Sequence, residues 1–111
     1  MVRLSFEDCR DGGNHCLSMC GKDEIKAVVR CLRKFTSLDW PSAFVTGGRR
    51  KRSGGLGYEV WDSPKLRGML PAHVDRGVTI FSVRASETYR IFGFRLGDYA
   101  HILWFAREHD L

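Results

Sequence analysis

The side chains most able to do chemistry here are a set of arginines and histidines in the C-terminal half of a 111-residue chain. Arg84, Arg90 and Arg95 sit in or beside apolar runs, His101 lies inside the last run, and Arg107 and His109 follow it. A guanidinium grips phosphate with a planar fork of donors and offsets charge developing on a phosphodiester oxygen, while a histidine moves a proton near neutral pH. Such groups suffice to cleave RNA through attack by its own 2′-hydroxyl, with no metal or other cofactor. The sequence carries no dense carboxylate cluster of the kind that holds Mg²⁺. On this reading Arg90 and Arg84 hold the phosphate, Arg107 offsets the developing charge, and His109 or His101 transfers the proton. Arg95 adds nucleic-acid affinity. The plainer alternative treats these arginines as strand-end side chains that reach for water or pair with Glu87, Asp98 or Glu108.

A second basic feature stands upstream, in GGRRKRSGGLG. Arg49, Arg50, Lys51 and Arg52 are consecutive and flanked by glycines. They read either as a phosphate-gripping arm or as a loop held open by its own repulsion. The spacing GxxxxGK[ST] is absent, which excludes a nucleotide-binding P-loop. The net charge of +5 favours an acidic partner, nucleic acid foremost. Cys9, Cys16, Cys20 and Cys31 lie in the first third, with His15 among them. Their spacings, C-x6-C and C-x3-C between the first three, differ from paired zinc knuckles, so the reading is reduced thiols and no metal.

The elements that must position these groups follow from periodicity. Val2–Phe6 alternates as a strand, and residues 7–21 form a polar, Cys-containing N-terminal extension. From Lys22 to Phe35, Ile25, Val28, Val29, Leu32 and Phe35 recur at helical spacing, with Lys26, Arg30, Arg33 and Lys34 largely off that stripe. Ser37–Pro41 reads as the start of a short second helix, completing a helical hairpin. Tyr58–Trp61 reads as a short strand. Val78–Arg84, Tyr89–Leu96 and Tyr99–Ala106 read as a three-stranded meander with hairpin gaps at 85–88 and 97–98. The fold class is therefore α+β: a single domain with a helical hairpin packed on an antiparallel sheet. Parity across Gly97-Asp98 puts Arg90, Phe92, Phe94 and Leu96 on one face with Tyr99, His101, Leu103 and Phe105. That aromatic face is expected to meet the helices and to bury Phe92, Phe94 and Leu103 with Ile25, Val28 and Leu32. Parity does not fix whether Arg84 stands beside Arg90.

The order of these elements carries a resemblance. Pro64-Lys65-Leu66-Arg67-Gly68-Met69 precedes a β-run ending Val83-Arg84. A short loop then leads to Tyr89-Arg90-Ile91-Phe92, and the last run ends Trp104-Phe105-Ala106-Arg107-Glu108-His109. From about Lys22 onward the chain resembles the RelE/ParE superfamily of toxin–antitoxin toxins, small basic domains with a helical hairpin on an antiparallel sheet. The resemblance implies an mRNA-cleaving, metal-independent endoribonuclease acting on the ribosome and neutralised by an antitoxin protein. Arg90 then matches the arginine on the scissile phosphate. Arg107 matches the basic residue that steadies the transition state, and His109 matches the acid or base of HigB-like members. The family's lysines on the strand before the loop correspond to Ile80 and Ser82 here. ParE-like relatives lack the nuclease residues and act by binding a protein, so the alternative is a non-catalytic inhibitor of a protein or nucleic-acid target. The acidic turn at Glu7-Asp8 and the lack of a long apolar run point to a cytoplasmic protein without a membrane partner.

Overall fold

A computed structural model describes residues 1–10, 12, 15–17, 20–44 and 56–107. The element order is β1 (Arg3–Ser5), α1 (Lys22–Thr36), α2 (Trp40–Phe44), β2 (Glu59–Trp61), α3 (Pro64–Gly68), β3 (Thr79–Arg84), β4 (Tyr89–Leu96) and β5 (Tyr99–Arg107). Among the described residues no helix is long and apolar enough to cross a membrane. The α+β class holds, but the sheet is mixed rather than antiparallel. Its order is β1-β5-β4-β3-β2, and β1 runs parallel to β5 at one edge while the other pairs are antiparallel. The meander explains the antiparallel pairing of β3, β4 and β5, because loops of a few residues permit nothing else, while β2 joins β3 after a longer connection through α3. The parallel pair joins the first strand to the last, with every other element between them in the chain, which periodicity alone does not reveal.

Each helix start has a local cause. The Glu24 carboxylate reaches back to accept the Gly21 N–H at 2.7 Å, and acids begin α1 while Arg33 and Lys34 end it, as the helix dipole favours. Asp39 accepts the Ser42 N–H at 2.8 Å, and that bond lowers its carboxyl pKa. Ser63 caps α3 through the Leu66 N–H, with Pro64 in the first turn where no N–H is needed. The carbonyls around the end of α3 are taken by a reciprocal strap. Arg67 donates to the Arg76 and Val78 carbonyls, and Arg76 donates back to those of Arg67, Leu70 and Pro71.

Both faces of the sheet are covered. On one face α1 and α2 bury Val28, Cys31, Phe35, Trp40 and Ala43 against Phe81, Val83, Tyr89, Ile91, Ile102 and Phe105. On the other, α3 and the turn after it bury Leu66, Leu70 and Val74 against Ile80, Phe92, Phe94, Leu103 and Trp104. The expected single core is thereby corrected. Phe92, Phe94 and Leu103 are buried, but away from Val28 and Leu32, and Ile25 is 40% exposed. The error in parity has one source. Phe92 pairs with Trp104 and Gly93 with Ile102, so Leu103 is an extra residue that bulges out of β5. Beyond the bulge every side chain changes face. Phe105 joins Ile91 beneath the helices, and Trp104 joins Phe92 beneath α3.

Candidate nucleic-acid interface

The β3–β4 loop fixes what parity left open. The Ala85 and Ser86 N–H groups both donate to the Tyr89 carbonyl, at 3.0 and 3.2 Å, and lock the register of the hairpin. Arg84 therefore stands directly opposite Arg90, on the face that carries Phe92 and Trp104. Directly opposed side chains have Cβ atoms about 5 Å apart, so two guanidinium groups focus positive potential on this end of the sheet. Arg84 is oriented by donating to the Glu87 carbonyl at 2.9 Å. Its stem also packs on Gly57, where φ is +62° and an added Cβ would lie 3.1 Å from Arg84 Cγ. Only glycine suits both demands.

Arg90 lies over the Trp61 ring, 5.4 Å from its centroid, and Trp61 is held by its indole N–H donating to Ser82 at 2.9 Å. Behind the pair, Trp61, Phe92 and Trp104 form a line of rings with centroid separations of 5.7 and 6.0 Å. Arg10 covers the far end, 5.8 Å from the Trp104 ring. Three arginines thus share one sheet face, and aromatic contacts stiffen Arg90 and Arg10, which cuts the entropy cost of gripping an anion. Arg10 and Trp61 were missed in sequence. Trp61 stood in a run read only as a short strand. Arg10 had no local signal, because its segment is irregular and docks on β5 through the Arg10 N–H to the Leu103 carbonyl at 2.7 Å. The extension at residues 7–21 is therefore partly integrated into the sheet edge, where the Phe105 N–H also donates to the His15 carbonyl.

Of the remaining candidates among the described residues, Arg95 and Arg107 lie on the opposite face, and His101 shares this face but stands at its other end. Arg107 pairs with Tyr89 across β4 and β5, beneath the helices, and binds Glu24 at 2.8 Å. It sits at the same end of the sheet as Arg90 but on the opposite side. Beside it the Cys20 thiol and the Tyr89 hydroxyl hydrogen-bond each other, and burial raises the pKa of both. Both stay protonated at neutral pH, so neither is a ready nucleophile. Arg95 also faces the helices, over Trp40 at 4.4 Å and Phe44 at 5.4 Å. It lines an open groove of about 380 Å³ with Asp75, Gly77, Val78, Thr79 and Leu96. His101 is stacked on Phe94 at 4.6 Å with Nδ1 buried and unpartnered. Its pairing with Phe94 puts it four residues along β4 from Arg90, roughly 13 Å away. His109 and the run Arg49, Arg50, Lys51 and Arg52 lie outside the described residues.

None of the four cysteines forms a disulfide, and among the described residues no three His, Cys, Asp or Glu side chains converge as metal ligands do. No family model matches the chain, and no curated protein or solved structure is significantly similar to it.

Proposed function

We propose that this protein binds single-stranded RNA, gripping the backbone with Arg84, Arg90 and Arg10, and acts in the cytoplasm by occupying its target rather than cutting it. The observation that carries this reading is the direct cross-strand pairing of Arg84 with Arg90 on one face, with Arg90 stiffened over Trp61. Phosphate contacts of this kind confer affinity without sequence preference. Binding is favoured over cleavage because, among the described residues, the other two nuclease candidates stand apart from the arginine pair. Arg107 is turned to the other side and engaged by Glu24, and His101 stands at the far end of β5.

A second reading keeps the RelE/ParE resemblance, with an antitoxin protein as partner and mRNA on the ribosome as substrate. One observation favours it: Arg84, Arg90 and Arg107 all lie at the same end of the sheet. A labelled 12-nucleotide oligouridine separates the two. Fluorescence anisotropy at low salt is expected to show binding that weakens about tenfold or more in the Arg84→Gln/Arg90→Gln variant, since two phosphate contacts are lost. The same RNA, and mRNA on ribosomes, should remain intact. Cleavage that disappears in Arg90→Gln and Arg107→Ala would instead establish the nuclease. Wild-type protein that neither binds nor cuts refutes both.

A further inference from the structure

The outer face of α1 has no role in the binding reading above, yet it carries four exposed cations. Lys22, Lys26, Arg30 and Arg33 are all exposed. At 100° per residue they fall within an arc of about 80°, and from Lys22 to Arg33 they run along roughly 16 Å of helix axis. Among the described residues none of the four enters an ion pair. Glu24, the nearest carboxylate on the inner side, is committed to Arg107 and to the Gly21 N–H. Like charges at i,i+4, here Lys22 with Lys26 and Lys26 with Arg30, weaken a helix, and cations in its first turn oppose the dipole. Exposed Asp23, one turn from Lys26, offsets part of this repulsion, and an anion lying on the stripe would relieve the rest. On its flank Ile25 and Val29 are 40% and 51% exposed, apolar positions that the sheet is too narrow to cover.

Position connects this stripe to the arginine pair. The Arg107–Glu24 bond pins the first turn of α1 beside the start of β4, where Tyr89 pairs with Arg107 and Arg90 follows Tyr89. Lys22 and Lys26 thus stand at the same end of the sheet as Arg84 and Arg90, on the opposite side. We infer that one strand of RNA passes over this end. Its backbone is held by Arg84 and Arg90 on one face of the sheet and continues along Lys22, Lys26, Arg33 and Arg30 on α1, with unstacked bases against Ile25 and Val29. The inference rests on the RNA-binding reading and extends its footprint to the second face. Charge complementarity selects a polyanion, and the continuity of the two cationic surfaces around one end selects a long flexible one.

The salt dependence of binding tests it. Labelled oligouridines of 6 and 18 nucleotides are titrated with wild type, with Arg84→Gln/Arg90→Gln and with Lys22→Gln/Lys26→Gln/Arg30→Gln/Arg33→Gln, each checked by a thermal melt. Glutamine is as good a helix former as lysine, so the fourfold variant should fold. Each lost phosphate contact on a single strand removes about 0.7 from the slope of log K against log salt, so the fourfold variant should lose close to 3 and the arginine variant about 1.4. Only the longer RNA should register the α1 change. If the folded fourfold variant keeps the wild-type slope on 18 nucleotides while the arginine variant weakens, the α1 track is wrong and the binding reading survives. If neither substitution changes binding, or the wild type does not bind, both fall. If a 20-residue polyglutamate peptide outcompetes the 18-mer through α1 alone, the face docks an acidic protein, and the inference is overturned.

Discussion

Gly93 is the position where the architecture is most open to refutation. It lies buried in the middle of β4, beside the bulge that reverses the faces of β5. An added Cβ would meet the His101 carbonyl oxygen at 2.4 Å, with the His101 carbonyl carbon and Phe81 Cζ each at 3.2 Å. Even a close carbon–oxygen contact needs about 3.3 Å, so the carbonyl must retreat by roughly 0.9 Å. It cannot do so cheaply, because β5 is paired on both sides, with β1 through Ser5 and with β4 through Phe94. Overpacking of this kind costs about 1–3 kcal/mol and more when backbone must move. Alanine also restricts the unfolded chain and returns about 0.5–1 kcal/mol. Gly93→Ala should therefore destabilise by a net ~1–2.5 kcal/mol, lowering the melting temperature by about 5–20 °C in a domain of this size. Thermal and urea melts followed by circular dichroism measure it. Two controls calibrate the result. Gly68→Ala in α3 meets nothing within 4 Å and should be neutral or gain up to ~1 kcal/mol. Gly97→Ala is equally open but has φ of +63°, so it should lose only ~1–2 kcal/mol. A Gly93→Ala protein that melts within ~3 °C of wild type would refute the bulge and the face assignment built on it.

Other substitutions test the remaining arguments. Leu66→Ala should cost ~2–4 kcal/mol by emptying the core under α3, whereas Val29→Ala on the exposed side of α1 should stay within ~0.5 kcal/mol; equal effects would contradict a two-sided core. Arg107→Ala removes an ion pair whose arginine is 54% exposed, so it should cost under ~1 kcal/mol and leave the affinity for the 6-nucleotide RNA unchanged; a large loss there would place Arg107 beside the arginine pair. Tyr58 is buried, and that burial pushes its hydroxyl pKa up to about 12, against about 10 in an unfolded chain. The folded state then holds a proton the unfolded chain has released, so stability is complete below pH ~10 and is lost as pH rises toward 12. Tyr58→Phe should flatten the fall of the urea midpoint across that window, and an unchanged fall would exclude Tyr58 as its source.

The sequence by itself determined the elements. The helical stripe from Ile25 to Phe35, Pro41 at the start of α2 and the three spaced β-runs each rest on interactions between residues close in the chain, so local pattern specifies them. The turn at Gly97-Asp98 likewise set the correct opposition of Leu96 with Tyr99 and of Phe94 with His101. Only α3 was overlooked, although Ser63-Pro64 with Leu66 and Leu70 carried its cap and its spacing. What tertiary structure alone decided was which residues share a face. Strand side chains alternate with a period of two, so the single extra residue at Leu103 exchanges Trp104 for Phe105 and overturns every inference drawn beyond it. The same bulge turned Arg107 beneath the helices, whereas the β3–β4 loop register set Arg84 opposite Arg90 and the docking of an irregular segment brought Arg10 to their face. The cationic residues could be read one at a time, but their grouping depends on register, on a bulge and on an irregular segment docking along β5. Those are set by packing between residues far apart in the chain.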